Sequence, residues 1–280
     1  MREVRTVKKR RVTALIIVAA LLAAWWFGTY GLQVTTDTVT DGKIKNEITV
    51  VHLSDLHGAS FGRDNERLIS AVDSAAPDLI FVTGDMYTSG SESGREVAVR
   101  LMTDLAERYA VYFVNGEHDN SDEYFARLDA AGVHVMDYKS ETVTLGSTEI
   151  CIYGIDNVYF SATFDLHNEF EPDESKYNIL LAHLVNAGAY ADGGFDMTFC
   201  GDTHGGVVRL PVVGALYNDG AWLPEVLGSD NDRYTRGLYE VGGMMLNVSG
   251  GLGNYPIPLR FMNRPQMSVI KLMPAPKGGK

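Results

Sequence analysis

The stretch Val50–His57, VVHLSDLH, decides the fold. Its apolar start reads as a short buried strand, and it stops on Asp55-Leu56-His57. A carboxylate and an imidazole two residues apart at a strand end point into one site and can grip one metal ion. Asp-x-His alone occurs in many proteins. Here it is followed in order by Gly84-Asp85, Gly116-Glu117-His118-Asp119, His183 and Gly201-Asp202-Thr203-His204-Gly205-Gly206. Three of these come just after strand-like runs (DLIFVTGD, YAVYFVNGEHD, DMTFCGDTH), and His183 closes a fourth, NILLAH. Open α/β sheets place their sites at the carboxyl ends of successive strands.

Working outward, GLQVTTDTV reads as an edge strand, and residues 65–75 as a helix with Leu68, Ile69 and Val72 on one face. Arg95 to Ala110 is the next amphipathic helix. A strand at 111–115, a helix at 122–132 and a strand at 134–136 complete an alternating first half. Strands near 142–145 and 149–154 are joined by a tight Gly146-Ser147 turn. A loop from Val158 to Tyr177 carries Phe160, Phe164 and Phe170, which read as packing on the domain's own core. The second half runs through NILLAH, a short helix near 185–191, DMTFCGDTH and strands near 236–241, 243–248 and 267–273. Alternation in two halves suits an α/β fold of two packed mixed sheets with helices outside.

The chain has 280 residues, 45% hydrophobic and 21% charged, enough for one large domain with a real core. Residues 1–11 hold six Lys/Arg and one Glu; the remainder carries 18 basic against 35 acidic residues, a net of −17. So acidic a body is repelled by nucleic-acid phosphates, and no stable nucleic-acid binding is expected. Cys151 and Cys200 both fall in strand-like runs and read as buried free thiols.

From Val12 to Thr36 there is no charged residue, and VTALIIVAALLAAWWFGTYGL is long and apolar enough to span a bilayer. The basic cluster precedes it, so the N-terminus is expected in the cytoplasm and the large domain outside the membrane. Trp25, Trp26 and Tyr30 sit where an outer aromatic belt would be, and no small-x-small cleavage site follows the run. The expected organisation is a cytoplasmic basic segment at 1–11, a single-pass transmembrane anchor at 12–32, a catalytic domain at 33–275 and a tail at 276–280.

The ordered motifs resemble those of the calcineurin-like metallophosphoesterase family: D-x-H, G-D, G-N-H-[DE], a lone H, then G-H-x-H. GASFG after the first motif, RLP and GAL after the last, and SGGLG…PLRFMNRPQ near the end are similar to a membrane-anchored bacterial branch. The resemblance implies a four-layer α/β/β/α sandwich and hydrolysis of a phosphoester by a hydroxide bridging two divalent metals. Position by position, it puts Asp55, His57, Asp85 and His204 on one metal. Asp85 is then shared with a second metal held by Glu117, His183 and Asp202. His118 becomes the imidazole that contacts the phosphate or protonates the leaving oxygen. Taken singly, each aspartate could be a turn former and each histidine a core or surface imidazole. Seven in family order exceed what those readings explain.

Two positions depart from the pattern: Glu117 stands in place of Asn, and Asp202 in place of the first His. Both changes add a carboxylate to the same half-site. Counting two divalent ions, Asp55, Asp85 and a hydroxide, the family arrangement carries a formal +1; Glu117 and Asp202 make it −1. Oxygen ligation favours Mn or another hard ion (Fe, Mg or Ca) over Zn. A less positive site favours a monoanionic diester over a dianionic monoester. The expected activity is therefore a phosphodiesterase or pyrophosphatase, with a lipid-linked phosphate as substrate class because of the nearby anchor. The alternative is a catalytically weak surface protein that binds a ligand or partner through a one-metal site, Glu117 being paired with a cation instead.

Overall fold

The computed structural model describes residues 2–156, 166–218, 220–229 and 231–276. Phe160, Phe164 and residues 277–280 of the expected tail lie outside them. A long helix, α1 (Arg2–Tyr30), ends where the Gly31 amide donates to Phe27 O, and the chain turns at once into strand β1 (Gln33–Asp41). Strand β2 (Ile48–Leu53) is buried on both faces, Ile48 and Val50 pointing one way, Val51 and Leu53 the other. β3 (Leu79–Thr83) and β4 (Val111–Val114) repeat the pattern, so this sheet needs cover on both sides.

One side is covered by three helices: α2 (Glu66–Ala75), α3 (Glu92–Ala106) and α4 (Asp122–Ala130). Leu68, Val72, Leu101, Met102 and Leu128 meet Val51, Val82 and Phe113 in one apolar layer. α3 begins one turn earlier than the apolar pattern suggests, because the Ser91 hydroxyl caps it by accepting from the Gly94 amide. After β5 (His134–Val135), the hairpin β6 (Lys139–Leu145) and β7 (Thr148–Gly154) opens a second sheet. It continues with β8 (Tyr177–Leu181), helix α5 (Ala187–Asp192) and β9 (Met197–Cys200).

An excursion of short pieces follows, none long enough to carry a periodicity signal. These are β10 (Arg209–Leu210), β11 (Gly214–Ala215), β12 (Tyr217–Asn218), β13 (Ala221–Trp222) and α6 (Pro224–Leu227). Strands β14 (Gly237–Val241) and β15 (Met244–Val248) complete the second sheet, and β16 (Gln266–Pro274) returns to the first. The strand orders are β1-β16-β2-β3-β4-β5 and β14-β15-β9-β8-β7-β6. Within each, consecutive strands β2 to β5, and β15, β9, β8 and β7, are parallel.

Val50, Phe81, Tyr112, Ile179 and Phe199 fill the layer between the sheets, and Leu180, Val248, Ala187 and Tyr190 a third layer under α5. Three apolar layers make a four-layer α/β/β/α sandwich. Phe170 packs on Tyr153 with ring centroids 5.1 Å apart, as core material rather than pocket lining. Cys151 and Cys200 are buried and free.

His52 interrupts the inter-sheet layer. It is fully buried, with Nε2 2.8 Å from Thr83 Oγ1 and Nδ1 2.8 Å from Asn247 Nδ2, which ties the two sheets together by polar contacts. Burial pushes its pKa down from 6.5 to about 3, so it is neutral in the folded state. The unfolded chain binds this proton more readily. Stability from His52 is therefore present above pH 6.5 and lost as pH falls toward 3, by up to about 1.4 kcal/mol per pH unit. Urea unfolding of metal-free protein at several pH values between 7 and 4 should show a shallower acid loss in His52→Gln than in wild type. An identical slope in the two proteins would mean that His52 already carries its proton when folded.

Candidate metal centre

The β2–β3 ladder continues past both strands: the Asp55 amide donates to Gly84 O at 2.9 Å and the His57 amide to Asp85 O at 3.0 Å. This extension sets Asp55, His57 and Asp85 side by side, with Leu56 turned into the core between them. Gly84 has φ +85°, and a Cβ on it would overlap the Gly116 amide. A Cβ on Gly116 would in turn overlap the Asp85 carboxylate, so the β3 and β4 loops can close on each other only with glycine at both places. The His118 amide then donates to Asp85 Oδ1 at 2.9 Å.

The second sheet supplies His183, Asp202 and His204. His57 Nε2 lies 3.2 Å from His204 Nε2 and 3.6 Å from Asp85 Oδ2. His204 Nε2 is 3.7 Å from Asp55 Oδ1, and His183 Nε2 is 3.7 Å from Asp85 Oδ2. Three overlapping groups have ligand atoms all within 4.8 Å of one another: Asp55, His57 and His204; Asp55, Asp85 and His183; and His57, Asp85 and His118. Glu117 and Asp202 stand nearer solvent, with side chains 45% and 38% exposed. Glu117 Oε1 is 3.7 Å from His118 Nε2, and Asp202 Oδ1 is 3.8 Å from His183 Nε2.

The partners of the two remaining imidazoles separate their chemistry. His183 Nδ1 sits 2.6 Å from Thr83 O, a carbonyl that can only accept, so Nδ1 carries a proton and Nε2 faces the carboxylates. His118 is the reverse. Its Nδ1 accepts from the Ser89 amide at 3.3 Å, so in the neutral ring the proton is on Nε2, at the site. His183 could therefore turn Nε2 to a metal, and His118 could donate a hydrogen bond from Nε2 to a bound anion. Asp119 does not orient His118: it is buried and accepts from the Met86 and Gly116 amides, bracing the turn.

Five of these residues, Asp55, His57, Asp85, Asp202 and His204, have φ of 53°, 48°, 54°, 71° and 49°. The left-handed region is unfavourable for side chains of this size, and such conformations collect where function holds them. Asp55 Oδ2 and His183 Nε2 are buried without a hydrogen-bond partner. Each such group costs about 1–3 kcal/mol unless something satisfies it, and a divalent cation among these oxygen and nitrogen donors would do so. The residues therefore fit a metal.

Burial, with help from neighbouring His118, His183 and Arg260, pushes His57 down to about 3, and burial with His57 and Arg260 pushes His204 well below its usual value. Both are neutral at physiological pH with lone pairs available. Burial raises Asp55 to about 7, Asp85 and Asp202 adding to the effect and His183 opposing it. Burial would lower His183, but Asp85, Asp55 and Asp202 together outweigh it and lift it to about 9.

Several contributors carry no motif of their own. Tyr255 stacks on His57 with ring centroids 4.5 Å apart and meets His118 edge-on at 4.8 Å. Arg260 is buried and donates to Gly250 O and Gly253 O, holding the loop whose Gly253 amide donates to Asp55 O. Asn263 Nδ2 donates to His204 O at 2.7 Å. Their only signal was the glycine-rich SGGLG and the PLRFMNRPQ that follows it.

A family model described as calcineurin-like phosphoesterase matches residues 48–206. The uncharacterized metallophosphoesterase YkuE of Bacillus subtilis is 25% identical over 237 residues, which cover 80% of this chain and 78% of YkuE. A transmembrane protein with metallophosphoesterase domain from Bos taurus is 28% identical over 259 residues, covering 82% of this chain and 54% of that one. A solved archaeal phosphodiesterase aligns with a TM-score of 0.41 at 11% identity, over 75% of this chain and 87% of its own.

A metal held by His183 would displace the proton that the ring carries below about pH 9, and below about pH 7 the Asp55 proton as well. The affinity for Mn²⁺ should rise by about tenfold per pH unit from pH 7 toward 9, more steeply below 7 where Asp55 is protonated too, and level off above 9. Calorimetry in buffers of different ionisation enthalpy would read the released proton directly. A flat affinity with no proton release would mean that His183 is neutral in the metal-free protein.

Proposed function

Since the chain belongs to the calcineurin-like phosphoesterase family, and so is a metal-dependent phosphoester hydrolase, we propose that it is a phosphodiesterase or pyrophosphatase that holds two hard divalent ions and acts on a lipid-linked phosphate. Asp55, His57, Asp85 and His204 hold one ion; Asp85, Glu117, His183 and Asp202 hold the other. The observation that carries this reading is Asp85, whose Oδ2 lies 3.6 Å from His57 Nε2 and 3.7 Å from His183 Nε2, between imidazoles of the two sheets. When bound, the ions supply an activated water and offset the charge on the transferring phosphoryl group.

The chain's own part is positioning and hydrogen bonding to the charge that develops. A water oxygen bonds to phosphorus as the ester P–O bond breaks; the proton that the water gives up passes to the leaving oxygen, and His118 Nε2–H donates a hydrogen bond to the phosphoryl or leaving oxygen as its charge grows. The Ser89 amide at Nδ1 supports that assignment by fixing the tautomer. Tyr255, stacked on His57, limits water on that side. Glu117 and Asp202 bring the formal charge of the loaded site to −1, which favours a monoanionic diester and an oxygen-preferring ion such as Mn, with Fe, Mg or Ca next and Zn disfavoured.

Residues 11–30 form a helix long and apolar enough to cross a membrane. We read residues 12–32 as a single-pass anchor, 1–11 as its cytoplasmic side and 33–275 as an extracytoplasmic catalytic domain. The basic cluster at 1–11 supports the orientation. A one-metal reading is favoured by a single observation, the Glu117 carboxylate lying 3.7 Å from His118 Nε2 at the solvent edge.

Metal titration and turnover of bis-p-nitrophenyl phosphate across a small variant set test both readings. Asp85→Asn should lose about a hundredfold or more in turnover together with metal. His118→Ala should keep its metal and slow substrates with poor leaving groups by about 10²–10⁴-fold. The double change Glu117→Asn with Asp202→His should raise Zn²⁺ affinity relative to Mn²⁺ and improve monoester over diester hydrolysis. Unchanged turnover in folded Asp85→Asn would remove Asp85 from the site. One ion in wild type and two in the double variant would establish the one-metal reading.

A further inference from the structure

The loop after the glycine-rich stretch is pinned to the end of α1. Trp25 Nε1 donates to Pro258 O at 3.1 Å, Asn254 Nδ2 to Thr29 O at 3.1 Å and the Arg260 amide to Thr29 Oγ1 at 3.4 Å. Arg264 lies 4.2 Å from the Phe27 ring centroid and donates to Gly31 O and Leu32 O. Wherever a bilayer surface meets the last turns of α1, this loop is at the same level.

What the loop presents there is apolar. Ile257, Leu259, Phe261 and Met262 are each between 41% and 57% exposed. The Arg209 amide donates to Phe261 O at 3.0 Å, and the Phe261 amide to Val207 O. This pairing attaches the excursion that carries Trp222 and Leu227, 65% and 71% exposed. Soluble surfaces rarely leave such a group of large apolar side chains in water. A bilayer beside the anchor is the occupant that continuity with α1 supplies. The same loop reaches the metal ligands: Tyr255, stacked on His57, is separated from Ile257 only by Pro256.

We propose that the 257–262 loop and the adjoining 222–227 segment form a membrane-docking surface that seats the catalytic domain on the lipid–water interface beside its own anchor. The headgroup phosphate of a membrane lipid then enters next to Tyr255 without leaving the bilayer. The substrate half of this inference rests on the reading of the site as a lipid-linked phosphodiesterase; the docking half does not. Because the body outside residues 1–11 carries a net −17, apolar insertion rather than charge holds the surface down, and contact is insensitive to salt.

The test uses the full chain in phosphatidylcholine nanodiscs. Comparison of the unaltered chain with Trp222→Phe isolates the emission of Trp222 among the three tryptophans. Its emission should be quenched by lipids brominated near the headgroup, shielded from iodide, and unchanged at high salt. In the otherwise unaltered chain, Ile257→Ser with Leu259→Ser and Phe261→Ser should cut turnover of a vesicle-embedded phosphodiester by about tenfold or more, with soluble bis-p-nitrophenyl phosphate unaffected. Trp222 quenched by iodide and not by brominated lipid would overturn the docking surface. So would self-association in detergent that the triple change abolishes, since a second copy would then cover the face. Equal loss on both substrates would overturn the capture role. A wild-type chain that turns over neither diester would overturn the activity reading alone, leaving the quenching result to decide the docking.

Discussion

Asp85 is buried and faces imidazoles that arrive from two different sheets. A carboxylate in that position is tolerable only if cations or protons meet it, and the rest of the centre can be understood from that constraint. Asp55, Asp85 and Asp202 together hold His183 protonated despite its burial, while His57 and His204, packed against each other, stay neutral. The site is thus a set of donors, most of them buried, that partly satisfy one another. Their left-handed backbone conformations are the local cost of bringing them to one point.

What keeps the two sheets in register at this edge is a polar seam centred on Thr83, the last residue of β3. Its carbonyl accepts from Ser54 Oγ and His183 Nδ1, and its hydroxyl lies within hydrogen-bond distance of Ser54 and His52. His52 meets Asn247 of the second sheet in turn. The apolar layers fix how far apart the sheets lie, and this seam fixes how His183 is presented to Asp85. Stability and ligand geometry therefore share residues, which is why His52, remote from substrate, belongs to the account.

The strand-end motifs were legible because a strand buried on both faces announces itself as a continuous apolar run, and a polar residue just past it has few places to go. Two packed sheets with helices outside were legible from the alternation of strands and helices, and the four-layer sandwich came from the family resemblance. The start of α3 was not legible, since a serine cap four residues before the expected start at Arg95 looks like loop. Tyr255, Arg260, Asn263 and Thr83 were illegible as site residues because their types are common and their roles come from contacts with other loops that no local pattern announces. The distinct tautomers of His183 and His118 are likewise invisible without knowing that one faces a carbonyl and the other an amide.

We propose that Asp85 stands between two ions. Anomalous diffraction from crystals equilibrated with Mn²⁺ tests it most directly. Two peaks are expected on either side of the Asp85 carboxylate, one beside His57 and His204 and the other beside His183, Asp202 and Glu117. A single peak, with Glu117 turned to His118 and no ion beside His183, would contradict it.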